Sequence, residues 1–277
     1  MKTDNFQEVG KFYEDKVAKL WEYIHAGHMH EPYYDDSNME ASMADASKRF
    51  TDLMIEKVSI QENENFIDIG CGFGLPGIEL AKRKHCNVYG ITASAYQKTV
   101  AEKNAEVENI SHRTKFFVYD AKHTPFADEQ FDAGWFFESI FHIGHEAALL
   151  EARRILKQNA MLLITDYLPH ITLSDKDLNY MVKSFNVQSF KTMEEYPAFL
   201  ENNGFELIEF RDITAHTLKI KRNKYIEAFN RDKNHIVEIV GSPELYENAR
   251  NFWDFTNKLF ENHVSYAMVV CRKKYTA

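Results

Sequence analysis

Apolar residues follow two different periods along this chain, and the period changes from one segment to the next. Short apolar runs between glycines, asparagines or charged residues predict buried strands, whereas apolar residues three or four positions apart predict amphipathic helices. The predicted strands cover residues 65–69, 87–91, 115–119, 131–137, 160–166, 205–213 and 264–271, and helices at 76–84, 95–108 and 145–157 separate the first five. This alternation predicts an α/β domain with a mostly parallel sheet.

Two further helices are predicted before the first strand. Residues 5–26 form a helical stripe with apolar positions at Phe6, Val9, Tyr13, Val17, Leu20 and Ile24. Ser37 and Glu40 have the spacing of a capping box, which predicts the start of a second helix there. We predict an N-terminal helical cap over residues 1–60 and an α/β domain over residues 61–277. The cap would pack on the domain, cover its active site or pair with another subunit.

Two long stretches, at about 170–203 and 216–262, interrupt the alternation of strands and helices. The first begins with a capping signal, Ser174-x-x-Asp177, and the second contains a helix capped at Ser242-Pro243. Their aromatic and apolar residues are Tyr180, Phe185, Phe190 and Tyr196 in the first, and Leu245, Ala249, Phe252, Thr256 and Leu259 in the second. Both follow the carboxyl ends of strands, where an open α/β sheet binds its ligands. We predict that they form a substrate lid, with a thickened core as the alternative.

A strand, a glycine-rich loop and the start of a helix follow one another over residues 66–77. Backbone N–H groups at such a helix start bind anionic groups, and Pro76 suits its first turn. The G-x-G-x-x-G spacing of residues 72–77 also matches the dinucleotide fingerprint, which is weak when it stands alone. Asp68 suits an ammonium group better than a pyrophosphate, and the next strand ends at Thr92 without the acid that binds a nicotinamide ribose. Both features disfavour a nicotinamide cofactor.

Composition and charge exclude several kinds of partner. The chain has 277 residues and a formal net charge of −9, and its Lys and Arg residues are scattered, which disfavours nucleic-acid binding. Three cysteines without metal spacing, no apolar run of transmembrane length and no signal peptide predict a cytoplasmic protein. His25, His28 and His30 lack a rigid helical spacing, so we predict no metal site.

The D-x-G-x-G-x-G pattern of residues 68–74 resembles motif I of the class I S-adenosylmethionine (SAM) methyltransferases, whose ligand carries an amine and a carboxylate. Most of the chain is similar to the small-molecule methyltransferases that tailor natural products such as sugars, macrolides and hybrid peptide-polyketides. The residues that carry this resemblance are His30-x-x-Tyr33-Tyr34-Asp35-Asp36, Ala46-x-x-x-Phe50-Thr51-Asp52-Leu53, Pro125-Phe126, Glu138-Ser139-x-x-His142 and Tyr266-x-x-x-x-Cys271-Arg272-Lys273.

The resemblance implies a Rossmann-like seven-stranded sheet with its last strand antiparallel, helices on both faces, N-terminal helices and helical lid insertions. It implies SAM as the cofactor and S-adenosylhomocysteine (SAH) as its product. The implied cofactor-binding residues are Asp68 for the amine, Gly70, Gly72 and Gly74 for the methionine part, Thr92, Ala93 and Gln97 for the ribose hydroxyls, and Asp120 and Ala121 for the adenine. Tyr33, Cys71 and Glu138 are further implied cofactor-binding residues. The chain departs from the wider superfamily at Thr92, where an acid commonly binds the ribose. It departs from the subgroup at Pro32 and Tyr34, where Gly and Trp are usual.

Methyl transfer from a sulfonium is an in-line displacement that needs alignment and a dry site. A hydroxyl acceptor also needs a base within hydrogen-bond reach. His142 and Asp166 lie at the ends of adjacent predicted strands, and we expect them to lie side by side as the base and its partner. A purely structural role stays open for each of them.

The sequence therefore predicts transfer of a methyl group from SAM to a hydroxyl of a secondary metabolite, such as a polyketide, a peptide-polyketide or a glycoside. Transfer to carbon or nitrogen of an isoprenoid or amine is the alternative, and a nicotinamide oxidoreductase or a SAM-binding regulator is a remote one. We expect a small-molecule acceptor under an aromatic lid, no nucleic-acid or membrane partner, and the N-terminal helix as the candidate surface for a homo-oligomer.

Overall fold

The computed structural model describes residues 5–12 and 16–275, and its central feature is one seven-stranded sheet. The strands are β1 (Asn65–Ile69), β2 (Asn87–Thr92), β3 (Thr114–Val118), β4 (Phe131–Phe137), β5 (Leu156–Pro169), β6 (Phe205–Asp212) and β7 (Val264–Lys273). Their order is β3-β2-β1-β4-β5-β7-β6, and β7 runs antiparallel to both of its neighbours. This confirms the implied sheet with an antiparallel last strand. Strand order reverses between β1 and β4, which places a ligand crevice at the carboxyl ends of these strands.

Helices cover both faces of the sheet and its carboxyl edge. They are α1 (Asn5–Phe12), α2 (Lys16–Ile24), α3 (Met43–Lys57), α4 (Leu75–Lys84), α5 (Ala95–Val107), α6 (Ile140–Ile143), α7 (His145–Ile155), α8 (Asp175–Phe185), α9 (Tyr196–Asn202), α10 (Leu218–Arg231), α11 (Lys233–Val240) and α12 (Pro243–His263). The three helices predicted between the first five strands are present as α4, α5 and α7. Within the described residues, none of these helices is long and apolar enough to cross a membrane.

Successive side chains of each strand point to opposite faces, so the sheet divides the core in two. Phe66 and Trp135 belong to one hydrophobic cluster, whereas their neighbours Ile67 and Phe136 belong to the other. A third cluster joins α2 to the helices between β6 and β7, with Trp253 at its centre. The central strands are apolar on both faces because both faces are covered.

The N-terminal segment differs from its prediction in two ways. Two helices, α1 and α2, stand where one helix over residues 5–26 was predicted; Tyr13 and the side chains of Phe6 and Val17 lie outside what the structure describes. The predicted capping box at Ser37 is wrong. Helix α3 begins after Ser42, whose Oγ accepts a hydrogen bond from the Asp45 N–H at 3.1 Å. Ser37 instead donates to Asp35 in the preceding turn.

The two long insertions contain α8 and α9 in the first and α10, α11 and α12 in the second. Both predicted caps are confirmed: the side chain of Ser174 accepts from the Asp177 N–H at 3.2 Å, and that of Ser242 from the Leu245 N–H at 3.1 Å. Tyr196 was predicted to belong to the lid, but α9 packs beneath β6 and buries this residue in a sheet cluster. Leu245 is exposed.

Candidate active site

The glycine loop after β1 begins one wall of a cavity at the strand-order reversal. Gly70 has a φ of 88°, and a Cβ there would lie 2.3 Å from Cβ of Ser139, so this position requires glycine. The N–H groups of Gly70 and Cys71 both donate to the Ile91 carbonyl at 2.9 Å, which ties the loop to β2. Gly77 does not serve the turn. It lies in α4, where a Cβ would meet Asp68 Oδ2 at 2.9 Å.

The cavity beside this loop, here called the cofactor cavity, runs along the carboxyl ends of β1, β2 and β4 and has an empty volume of about 700 Å³. Eight of the predicted residues line it: Gly70, Gly72, Thr92, Ala93, Gln97, Asp120, Ala121 and Glu138. Val9 of α1 and Met29 of the following loop contribute to its wall. Helix α1 approaches closely, because a Cβ on Gly10 would lie 2.6 Å from the Ala93 carbonyl oxygen.

Asp68 lies at the back of the glycine loop, in a small hollow that also contacts Gly70 and Gly72. Its side chain is buried, and Oδ2 has no hydrogen-bond partner among the described residues. Burial raises the pKa of Asp68 to about 7. A buried carboxylate oxygen without a partner is costly, and an ammonium group in this hollow would compensate it.

The polar groups on the opposite side of the cofactor cavity are fixed by short contacts. The Thr92 hydroxyl donates to Gln97 Oε1 at 2.6 Å and accepts from the Ser94 N–H at 3.2 Å. Asp120 Oδ1 accepts from the Lys122 N–H at 3.0 Å, which holds the loop after β3. These amide and carboxylate groups suit hydroxyls and a heterocyclic amine.

Three predicted cofactor residues are placed differently. Tyr33 is buried away from the cavity, stacked on His216 with the ring centroids 4.8 Å apart, so its predicted contact is wrong. Gly74 is the N-cap of α4 and faces Phe116, because the loop has already turned into the helix. Cys71 lines only the small hollow of Asp68, since its side chain points into the core.

A second cavity, here called the acceptor cavity, adjoins the first and has an empty volume of about 830 Å³. Its lining is mostly aromatic and apolar: Trp21, Met29, Phe141, Tyr167, Met181, Phe185, Val187, Phe190, Phe252, Trp253 and Phe260, with Glu138, His142, Ser184, Lys221 and Thr256. Most of these residues come from the two insertions. Met29, Glu138 and His142 line both cavities. A group that passes between two bound molecules must pass these three side chains.

The hollow of Asp68, the glycine loop and the polar wall of the cofactor cavity fit the amine, methionine chain and nucleoside of SAM. A family model for the methyltransferase domain matches residues 67–164. Methyltransferase GfsG of Streptomyces halstedii is 30% identical over 216 residues, covering 76% of this chain and 77% of that protein. The chain is a class I SAM-dependent methyltransferase.

Two further proteins are similar over nearly the full length of this methyltransferase. (+)-O-methylkolavelool synthase of Herpetosiphon aurantiacus is 27% identical over 263 residues, covering 95% of this chain and 92% of that protein. The crystal structure of the [4+2]-cyclase SpnF superposes with a TM-score of 0.80 at 25% identity, covering 98% of this chain and 96% of that chain. The cofactor of the methyltransferase is therefore SAM, and the fold alone does not define the second substrate.

His142, one of the two predicted catalytic residues, lies in α6 and lines both cavities. The Nδ1 atom lies 3.3 Å from the Asn186 carbonyl oxygen, which orients the ring. Burial lowers the pKa of His142 to about 4, so the imidazole is neutral near pH 7. A neutral imidazole at this place is able to take a proton from an acceptor.

Asp166 does not lie beside His142, so this part of the prediction is wrong. Strand β5 continues to Pro169, and Asp166 is therefore an interior strand residue that points away from both large cavities. Its Oδ2 accepts from Tyr196 at 3.0 Å and lies 2.7 Å from His145 Nε2. The carboxylate holds α7 and α9 against the sheet.

A cluster of polar side chains at the junction was not predicted. Glu138 Oε1 accepts from the Glu31 N–H and the Tyr266 hydroxyl, and Lys221 Nζ donates to Glu31 Oε1. The Tyr167 oxygen lies 2.5 Å from Glu31 Oε1 and 3.1 Å from Glu138 Oε2. These five residues are separated by up to 235 positions, so no local motif could join them.

The three histidines of the loop after α2 are bonded within the fold. His25 contacts Ser47 and Tyr225, and His30 contacts Thr51 at 2.9 Å. Across residues 5–12 and 16–275, no group of three or more His, Cys, Asp or Glu side chains is arranged to hold a metal ion.

Proposed function

We propose that this methyltransferase transfers the methyl group of SAM to a hydroxyl of a small-molecule secondary metabolite bound in the acceptor cavity. The observation that carries the proposal is the placement of a neutral, buried His142 where an aromatic cavity meets the cofactor cavity. The name of the H. aurantiacus relative, an O-methyl product synthase, supports oxygen as the acceptor atom.

The lining of the acceptor cavity supports a bulky apolar skeleton. Aromatic side chains such as Phe252, Trp253 and Phe260 bury large apolar areas and offer few hydrogen bonds. A polyketide or peptide-polyketide skeleton suits this lining better than a glycoside, whose many hydroxyls would lose their bonds to water.

SAM supplies an electrophilic methyl group, and the protein aligns the acceptor and removes its proton. In this proposal the carboxyl ends of β1 and β4 set the distance between the two ligands, and the insertions exclude water from the acceptor. His142 takes the hydroxyl proton on its unprotonated nitrogen while its other nitrogen bonds to Asn186. Deprotonation makes the oxygen a stronger nucleophile as the C–O bond forms.

Carbon methylation is a second candidate, because rings that line the acceptor cavity would stabilise a carbocation through their faces. The two candidates differ in what the acceptor must carry. Oxygen transfer requires a hydroxyl, whereas carbon transfer requires a double bond.

The test uses SAM with an isotopically labelled methyl group and a panel of apolar polyketide and terpenoid alcohols, each paired with its deoxy analogue. We expect label in the alcohols and none in the deoxy analogues, with a mass-spectral fragment that places it on oxygen. Label in a deoxy analogue that retains a double bond would contradict oxygen transfer and support carbon transfer.

We also propose a cytoplasmic location, supported by three free, buried cysteines in the described part of the chain. A homo-oligomer through the N-terminal helix stays a prediction. In the monomer α2 packs on α11, so light scattering of the purified protein is the direct measurement.

A further inference from the structure

Glu138 has an unusual backbone conformation at the end of β4. Its φ is 55°, a left-handed value that is rare for residues other than glycine, and its N–H donates to Thr165 Oγ1 at 2.9 Å. The turn carries the side chain to the junction, where it lines both cavities. Strained backbone of this kind persists where the surrounding structure holds it, often at functional sites.

The cluster around Glu138 brings two buried carboxyl groups, Glu31 and Glu138, together with one cation, Lys221. Tyr167 has a single hydroxyl proton, yet its oxygen is within bonding distance of carboxylate oxygens of both Glu31 and Glu138. Two ionised carboxylates this close together repel each other, which favours a proton on one of them. Lys221 is bonded to Glu31, which keeps the negative charge there. The proton therefore belongs to Glu138.

If both Glu31 and Glu138 were ionised, this buried site would need a second cation besides Lys221 to be neutral. Without a ligand, Lys221 and the Glu31 carboxylate neutralise each other, and protonated Glu138 carries no charge. Burial and the neighbouring Glu31 raise the pKa of Glu138 to about 8, in agreement with the excess of carboxyl groups over cations in the cluster. The methyl group must leave SAM at this junction to reach the acceptor cavity, so the sulfonium charge arrives beside Glu138.

We propose that Glu138 is the counter-ion of the sulfonium and exchanges its proton for that charge when SAM binds. Protonated Glu138 releases H⁺ to solvent as the cationic sulfonium enters, so the net charge of the site stays constant. Methyl transfer breaks the S–C bond and leaves neutral SAH. His142 then passes the proton that it took from the acceptor hydroxyl to Glu138, and the site again carries no net charge.

The other titratable groups at the junction do not produce the same signal. The charged or titratable side chains that face Glu138 are Glu31 from the loop, His142 from α6, Tyr167 from β5, Lys221 from α10 and Tyr266 from β7. Burial holds the pKa of His142 near 4 and those of both tyrosines well above their usual range, so none of these three titrates near pH 7. Asp68 titrates near pH 7, but it faces the ammonium group that SAM and SAH share.

The experiment is isothermal titration calorimetry of the cofactor-free enzyme with SAM and with SAH, at pH 7 in buffers of different ionisation enthalpy. We expect SAM binding to release close to one proton more than SAH binding. The dissociation constant of SAH divided by that of SAM should rise by up to tenfold per pH unit between pH 6 and pH 8. Above pH 8 this ratio should become constant. Equal proton release for the two ligands would overturn the proposal, and this comparison needs no variant and no acceptor.

Glu138→Gln keeps the size of the side chain and removes its titration. The extra proton and the pH dependence of the ratio should both disappear, while SAH affinity changes less than threefold. Glu146→Gln is the matched control, since Glu146 lies on the surface in an ion pair with Lys191. The control should retain the extra proton. An extra proton that persists in Glu138→Gln, with a native circular dichroism spectrum, would assign the exchange to another group and contradict the proposal.

Discussion

Two buried carboxyl groups of this methyltransferase face two different charges of one cofactor. Asp68 lies in the hollow behind the glycine loop and suits the ammonium group, and Glu138 lies at the junction of the two cavities, where we propose that it meets the sulfonium. Burial raises the pKa of each. Ionisation of each carboxyl group is therefore unfavourable in the cofactor-free protein. A cation that binds beside the carboxylate compensates this cost.

Replacement of Asp68 should affect affinity and stability in opposite directions. Asp68→Asn should weaken SAM binding by about 1.5–3 kcal/mol, the usual scale for a charged hydrogen bond, as measured by calorimetry. The same variant without SAM should be more stable than the wild type at pH 8. An Asp68→Asn protein that binds SAM with wild-type affinity would contradict the assignment of the ammonium site.

The sign of the stability effect follows from the raised pKa. Asp68 ionises near 3.8 when unfolded and near 7 when folded, so the folded state holds its proton longer. The free energy of unfolding therefore falls as pH rises from about 4 to 7, by at most ~4 kcal/mol from this group. Chemical denaturation should show no difference between Asp68→Asn and wild type near pH 4 and a growing difference up to pH 8.

The two histidines near the junction allow a matched test of the base. His142→Gln should lower kcat by about 10²–10⁴ with little change in SAM affinity, because it removes the proton acceptor. The wild-type pH profile should have an acidic limb near pH 4, since His142 is active only when neutral, and the variant should lack it. His145→Gln should instead lower stability by about 1–3 kcal/mol, because buried Asp166 Oδ2 loses one of its two partners, and keep the acidic limb. An unchanged kcat in His142→Gln would exclude it as the base.

His142 and Asp166 show which side-chain positions can be predicted from the sequence alone. Both stand near strand ends in the sequence, but β5 pairs with β7 as far as Pro169 and Val264, which extends the strand past Asp166. Side chains alternate between faces, so Asp166 and Tyr167 point in opposite directions. The glycine loop was predictable because its function resides in one continuous segment. The cluster around Glu138 was not, because it joins residues from five elements.

At the scale of elements, the strand and helix pattern was predicted nearly throughout, since apolar periodicity reflects burial directly. The start of α3 was predicted wrongly because two capping signals stand close together in the sequence. Ser37-x-x-Glu40 and Ser42-x-x-Asp45 both satisfy a capping spacing, and only the second precedes the residues that α3 buries. Packing of Phe50 and Met54 against the sheet decides between the two.

Replacement of these two serines tests the assigned start of α3. Ser42→Ala should lower the free energy of unfolding by about 0.5–2 kcal/mol, because the Asp45 N–H loses its acceptor. Ser37→Ala, in an exposed turn, should change it by less than about 0.5 kcal/mol. Urea denaturation of both variants in parallel makes the comparison, and the reverse order would place the helix start at Ser37.

At the scale of the whole molecule, cofactor binding should stabilise the fold. SAM at 100 times its dissociation constant adds about 2.7 kcal/mol to the free energy of unfolding. For a domain of this size the melting temperature should then rise by roughly 5–10 °C in a thermal-shift assay. NADH at the same concentration should produce no shift, and a shift with NADH in place of SAM would contradict the assigned cofactor. Asp68→Asn should lose most of the shift.

Separate parts of the chain line the two cavities, and among the described residues they meet at Met29, Glu138 and His142. Most of the cofactor wall comes from the segments after β1, β2, β3 and β4, whereas most of the acceptor wall comes from the two insertions later in the sequence. Mutations in α8 or α12 can therefore reshape the acceptor wall while the cofactor wall stays intact. Enzymes that evolve from such a chain can acquire new metabolite acceptors through substitutions in the insertions, while the methyl donor stays the same.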